Sequence, residues 1–217
     1  MANVIVFGLR DIAELAWFYI TRQSNDKVVA FTVHSSYKTC SEFCGLPVVE
    51  FENLEENFNA EEFLLFAPLS PRNMNRDREK VYLEGKKKGY RFYTFISPHA
   101  TVLTSSIGEN CFIFEDNTIQ PFVEIGNNCI FWSGNHIGHH SKIEDHVFFS
   151  SHVVLSGHCH VCPYCYFGVN STIRNHLTIA EGTCVAMAAC ITKNTEPWTI
   201  YIGVPAKPSG SSLEANI

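Results

Sequence analysis

From Ile107 onward, a large aliphatic or aromatic residue returns at every sixth position. Ile107, Ile113, Ile119, Ile125, Phe131, Ile137, Ile143, Phe149, Leu155, Val161, Phe167, Ile173, Ile179, Val185 and Ile191 share one register without a miss or an insertion. With 46% of the chain apolar, fifteen such matches have a chance probability on the order of 10⁻⁵, so the period is a structural repeat. A second column runs four positions behind the first and is mostly small: Cys111, Val123, Cys129, Ser141, Val147, Val153, Cys159, Cys165, Ser171, Thr183 and Ala189, with Asn117, Asn135 and Leu177 as larger members. Gly108, Gly126, Gly138 and Gly168 follow their anchors directly, where the chain is expected to turn a corner. Three hexads close one triangular coil, both columns point inward, and each coil is covered by the next. The pattern predicts a left-handed parallel β-helix from about Ala100 to Ile191.

The residues before it follow a different pattern. Asn3–Phe7 (NVIVF) is a short β-rich run that stops at Gly8, and Ile12, Leu15, Ala16, Tyr19 and Ile20 then recur at helical spacing behind Asp11, which is placed to cap the helix. Lys27–Val33, Phe63–Phe66 and Arg91–Ile96 read as further strands, and the charged stretch Met74–Lys88 reads as a helix ending at Gly89. This alternation predicts a small Rossmann-like parallel α/β domain over residues 1–98, and the β-helix with a C-terminal tail over 99–217. The α/β domain is expected to cover one end of the coil stack. The outward positions carry Phe112, Phe114, Trp132, Phe148, Tyr164 and Tyr166, more aromatic surface than a solvated face needs. Such a face predicts an interface, and closed cyclic symmetry makes a homotrimer the expectation.

Composition narrows the partners. A formal charge of −6 offers no basic stripe for nucleic acid, although one or two local donors suffice for a small phosphorylated ligand. No uninterrupted apolar run is long enough to span a membrane, and Arg10, Asp11 and Glu14 break up the N-terminal apolar residues where a secretory signal would lie. Nine cysteines without an export signal predict a reducing, cytoplasmic location.

The α/β start, the unbroken hexads, the segment WSGNHIGHHSKIEDHVFFSSHVVLSGH and the late IGVPAKP together resemble the hexapeptide-repeat sugar acyltransferases. That group contains sialic acid O-acetyltransferase-like proteins and the bacillosamine and perosamine N-acetyltransferases. The resemblance implies transfer from acetyl-CoA to an amino or hydroxyl group of a nucleotide-linked sugar, with amino favoured. It also implies a nucleotide held by the α/β domain and a coenzyme lying along the β-helix between subunits of a trimer. The family's general base lies two residues after an inward anchor, which here is His139. A neutral imidazole, with an ordinary pKa of roughly 6.5, suits proton abstraction near neutrality.

The register places Pro121 one coil before His139 and Gly157 one coil after it. A glycine there leaves a notch with an accessible backbone N–H, a fixed dipole for the developing oxyanion, in agreement with the glycine the family uses. His158, Asn175 and His176 join Gly157 as candidate coenzyme contacts, with His140, His158 and His176 one coil apart in a single column. Where the family often has an acidic residue to orient the base, this chain has His140. That leaves Asn135, Glu144 or a group from another subunit to orient His139, or His140 to share the role of base.

Other motifs compete for attention. His136, His140, His152, His158, His160 and His176 invite a metal reading, and a zinc-dependent carbonic-anhydrase-like lyase on the same scaffold is the alternative enzyme. That family's pair of histidines five residues apart does not fit this column, so no metal is expected. A non-catalytic binding protein of the same fold is the remaining alternative. Cys159, Cys162 and Cys165 resemble a metal motif, but Cys159 and Cys165 fall on the inward column, where cysteine packs as a small hydrophobe. FGLRDIAELA has only Gly8 at the strand-to-helix turn, so a dinucleotide fingerprint is absent, while Arg10 and the helix N-terminus remain able to meet a diphosphate. Gly8, Arg10, His34 and Ser35 are the candidate substrate contacts, although Val33–His34–Ser35–Ser36 lacks the carboxylate that the family often has after its second strand. Met74–Asn75 with Arg78 resembles a segment of one branch of the family and could equally be a helix start.

Overall fold

The structure, a computed structural model, describes residues 1–215. The N-terminal sheet contains β1 (Asn3–Phe7), β2 (Lys27–Val33), β3 (Glu42–Phe43), β4 (Leu46–Glu50) and β5 (Phe63–Phe66), in the order β3-β4-β2-β1-β5. All pairs are parallel except the β3–β4 hairpin. The β3–β4 pair is absent from the sequence pattern because Gly45 and Pro47 interrupt a very short apolar run. Alternation along β1 sorts the core into two layers. Val4 and Val6 pack with α1 (Asp11–Gln23), and Ile5 and Phe7 pack with α2 (Leu54–Asn57) and α3 (Arg76–Lys87). Asp11 does not cap α1: the N-cap is Arg10, with no side-chain bond, and Asp11 and Glu14 instead place negative charge in the first turn.

The strand expected at Arg91–Ile96 is divided between two sheets. Phe92 bridges Leu65, and Tyr93 N–H donates to the Leu65 carbonyl at 2.8 Å, but Phe95–Ile96 pairs in parallel with Phe112–Ile113. Phe95 therefore opens the first face of the β-helix, ahead of Ala100. Face one stacks Phe95–Ile96, Phe112–Ile113, Ile130–Phe131, Phe148–Phe149, Tyr166–Phe167 and Cys184–Val185. Face two runs from Thr101–Val102 through His136–Ile137 to Cys190–Ile191, and face three from Glu124–Ile125 to Thr178–Ile179. Every pairing is one coil apart, and the hexad anchors fill the prism, with Phe131, Phe149 and Phe167 stacked at 4.8 and 4.4 Å. The C-terminal Thr199–Gly203 and Ala206–Ser211 form an antiparallel hairpin that extends face one, and Tyr201 continues the inward column.

The corners are not turned by the glycines that follow the anchors. Left-handed φ falls two residues later, on Phe122 (65°), His140 (56°), His158 (58°) and His176 (57°) among others. The glycines serve close approach instead. A Cβ on Gly138 would lie 2.4 Å from the Gly157 nitrogen, and one on Gly126 would lie 2.9 Å from the Asp145 nitrogen.

The α/β unit does not cap the end of the stack; it lies against face one. Phe112, Phe114, Ile130 and Phe148 share a core with Val4, Val6, Ala16, Phe31 and Phe66. Tyr19 on α1 meets Phe112 and Phe114 edge-on. Most of the outward aromatic surface expected to face another subunit is thus covered within the chain, and it carries no sign of a trimer.

Helix α3 latches the two parts together. The helix expected from Met74 begins only at Arg76, because Asn73, Met74 and Asn75 take left-handed φ of 53°, 49° and 67°. That turn directs the Asn75 amide to the Tyr164 and Cys165 carbonyls at 3.3 and 3.2 Å. Farther along the helix, Arg78 reaches the Asn128 and Val147 carbonyls, the Tyr164 hydroxyl donates to Glu79, and both Tyr82 and Lys86 donate to Glu109. The spacing fits: eleven residues of helix rise about 16 Å, and three coils at strand spacing span about 14 Å. Among the described residues, no helix is long and apolar enough to cross a membrane.

Candidate active site

His139 projects from the corner between faces two and three, at the edge of the prism opposite face one. Its N–H donates to the Gln120 side-chain carbonyl at 2.9 Å, and its carbonyl accepts His158 N–H at 2.9 Å, which fixes the backbone on which the exposed ring turns. The ring lies over Gly157: a Cβ there would sit 2.9 Å from both Nε2 and Cε1 of His139. Among the described residues, no acceptor takes the Gly157 N–H. Gly138 keeps the coils close enough for this arrangement.

The other ring nitrogen is engaged. His139 Nδ1 lies 3.0 Å from His140 Nδ1, so one ring must donate and the other accept. When His139 donates from Nδ1, its Nε2 lone pair is the free one, directed at the Gly157 notch. Within the chain, neither other expected orienting group is available for this role. Asn135 is buried and bonds the Trp132 carbonyl and Val153 N–H, while Glu144 bonds His160 Nε2 at 2.7 Å.

The column continues along the corner. His140 and His158 stack at 4.9 Å and 14°, His158 and His176 at 4.7 Å and 6°, and the exposed Phe122 lies 4.6 Å below His140. Asn175 is exposed one coil beyond Gly157. Desolvation within the stack, followed by the facing imidazoles of His176, His140 and His139, holds His158 below the ordinary histidine value. His146, beneath α3, is also lowered by burial and by Arg78, against the opposing pull of Glu79 and Asp145. Both rings resist protonation in the folded chain but accept it freely once unfolded. Stability is therefore expected to fall as pH drops below about 6.5, before the carboxylates titrate. Thermal melts at pH 7.5 and 5.5 check this, and a higher Tm at pH 5.5 would contradict it.

The cysteines behave as the register requires. Cys159 and Cys165 are buried on the inward column, and burial pushes both thiols up. All nine cysteines are free.

A cleft of about 830 Å³ opens at the carboxyl ends of β1, β2 and β5, where open α/β sheets bind ligands. Gly8, Arg10 and His34 line it, together with Ser36, Tyr37, Thr39, Ser70, Arg72 and Lys80, none of which the sequence singled out. Ser35 does not line it; its N–H is taken by the Glu52 carboxylate at 3.0 and 3.2 Å. A carboxylate from elsewhere in the chain does meet His34: Glu84 on α3 bonds its Nε2 at 2.7 Å. Fifty residues separate that pair, so no local pattern could reveal it. The cleft belongs to the unit packed against face one, His139 stands at the corner between faces two and three, and the cleft lining includes no residue of that corner.

Residues 104–139 match the bacterial transferase hexapeptide family (six repeats). The fold is shared along nearly the whole chain with known acetyltransferases. The acetyltransferase domain of PglB from Neisseria gonorrhoeae is 19% identical with a TM-score of 0.83, covering 96% of this chain and 100% of that one. A histidine-to-asparagine variant of perosamine N-acetyltransferase from Caulobacter crescentus, in complex with CoA and GDP-perosamine, is 21% identical with a TM-score of 0.85, covering 97% and 98%. WeeI from Acinetobacter baumannii is 19% identical with a TM-score of 0.80, covering 96% and 100%. The PglB domain is also known in complex with acetyl coenzyme A. No curated protein sequence matches the chain.

Proposed function

We propose that the protein transfers an acetyl group from acetyl-CoA to an amino group of a nucleotide-linked sugar in the cytoplasm. The observation that carries this reading is the His139 ring set over Gly157, whose N–H has no acceptor among the described residues. The acceptor amine attacks the thioester carbonyl, forming the C–N bond and placing an oxyanion at the Gly157 N–H. His139 Nε2 takes the amine proton, and collapse breaks the C–S bond and returns that proton to the departing thiolate. Ligands named for the shared folds, acetyl-CoA, CoA and GDP-perosamine, support the choice of donor and acceptor class.

The base itself favours an amine over a hydroxyl. Within the chain it has no anionic partner, only His140. An amine can attack before losing its proton and becomes acidic as it does so, which suits a neutral dyad; a hydroxyl needs a stronger base.

Residues 1–98 hold the nucleotide in this reading, with Arg10, Arg72 and Lys80 near the phosphates and Tyr37 near the base. Gly157, His158, Asn175 and His176 lie along the coenzyme. Cleft and base share no residue in one chain, and in this reading a complete site takes the cleft of one copy and the His139 edge of another, as a homotrimer allows.

The test is a screen of nucleotide amino sugars with acetyl-CoA, following thiol release, alongside sedimentation to establish the assembly. Acceptor-dependent release by a trimer is expected. No release with any acceptor, together with no CoA binding by calorimetry, would overturn the reading. Gly157→Ala is a sharper probe, because its methyl would push the His139 ring off position while the surface corner accommodates it. Such a displacement is expected to lower turnover about 10²-fold with little change in Tm.

A further inference from the structure

The cluster at the active edge has a second capability that the transfer reaction does not use. His139, His140 and His158 each offer a ring nitrogen, and the three nitrogens lie within 4.8 Å of one another, all on exposed side chains. Two of them, the Nδ1 atoms of His139 and His140, are already 3.0 Å apart. A tetrahedral zinc ion bound at about 2.0–2.1 Å separates its nitrogen ligands by about 3.3 Å, so small χ rotations bring the third ring into range. The rings come from stacked corners of successive coils, tied together by the His158 N–H to His139 carbonyl bond at 2.9 Å. Three imidazoles and one open position suit a borderline divalent cation, and the absence of any carboxylate from the set disfavours magnesium or calcium.

We propose that His139, His140 and His158 form a zinc site whose occupancy switches off acetyl transfer. The second half rests on the function proposed above. A metal on His139 Nδ1 leaves the ring proton on Nε2, which then has no lone pair for the acceptor's proton. Zinc is then an inhibitor that competes for the base, not a cofactor. Neutral rings are the form that ligates.

The test uses the full chain, free of any histidine tag, titrated calorimetrically with Zn²⁺ and by visible absorption with Co²⁺. One equivalent per chain and a tetrahedral Co²⁺ spectrum are expected. His140→Ala and His158→Ala should each weaken binding by more than the roughly 10–100-fold typical of losing a ligand's supporting group. His176→Ala removes an imidazole from the same stack but from outside the triad, and should leave the affinity unchanged. Equal effects of all three substitutions, or no binding below millimolar zinc, would overturn the site. Transfer activity is measured separately with and without zinc and a chelator. Zinc binding without any transfer in either condition leaves the site standing and removes the proposed function. Transfer that zinc leaves unaffected while the site is occupied removes the switch.

Discussion

Replacing His139 with alanine is expected to lower acetyl transfer about 10²–10⁴-fold, the range by which a positioned proton acceptor speeds such reactions. The chain should fold and assemble as before, because the ring is exposed and only the backbone of His139 is tied into the coil, through Gln120 and His158. Both of those bonds survive the substitution. KM for acetyl-CoA should change little, since the lost interaction forms as the proton moves. The neighbouring histidine sharpens the experiment. If His140 only sets the His139 tautomer, His140→Ala should reduce kcat by less than His139→Ala does and shift the acid limb of the pH–rate profile. If His140 takes the proton itself, the order of the two effects reverses. Turnover retained within about threefold in the His139 variant would remove it from the reaction altogether, since a factor of three is below the contribution of any general base.

What the sequence made legible follows from how each feature is encoded. The β-helix is written in single residues at fixed intervals, and its anchors can point only one way if the coils are to stack. Ile113 through Ile191 are accordingly buried, and the same ruler placed His139 beside Gly157. Outward positions carry no such constraint. Phe112 and Phe148 recur with the same period whether another subunit or the chain's own α/β unit covers them, and the structure shows the latter. Contacts between distant segments were likewise hidden. His34 pairs with Glu84, and the strand at Arg91–Ile96 changes sheets midway, because partners in space decide both. The corner glycines answer to close packing between coils rather than to a left-handed turn, which is why Gly138 has no room for a side chain.

Arg78, which the sequence marks without showing a role, is the residue whose removal is expected to have the largest effect on stability. It is fully buried between α3 and face one, with Nε 3.1 Å from the Asn128 carbonyl and Nη1 3.1 Å from that of Leu69. Longer contacts of 3.5 Å reach the Ser70 and Val147 carbonyls, and the guanidinium lies 5.9 Å from the centre of the Phe148 ring. Desolvation pushes its pKa down to about 10, so it remains charged at neutral pH, held by carbonyl dipoles. Arg78→Ala leaves the buried Asn128 carbonyl without a donor, while Val147 keeps its bond from Ile130 N–H, and opens a cavity at the joint between the two parts of the chain. The expected cost is about 3–5 kcal/mol, from a stranded buried acceptor and the cavity left by a large side chain. Arg78→Lys keeps the charge but cannot span both sides with a rigid fork, and should recover only part of the loss. Urea unfolding measures the cost, and limited proteolysis locates it: cleavage should appear first around Leu69–Asn75, where the latch lets go. A loss under about 1 kcal/mol would mean that the carbonyls find water as readily as they found Arg78. Because α3 also supplies Arg72, Lys80 and Glu84 near the cleft from its flank and body, a loosened latch should weaken acceptor binding without touching His139, a rise in KM that separates this joint from the chemistry.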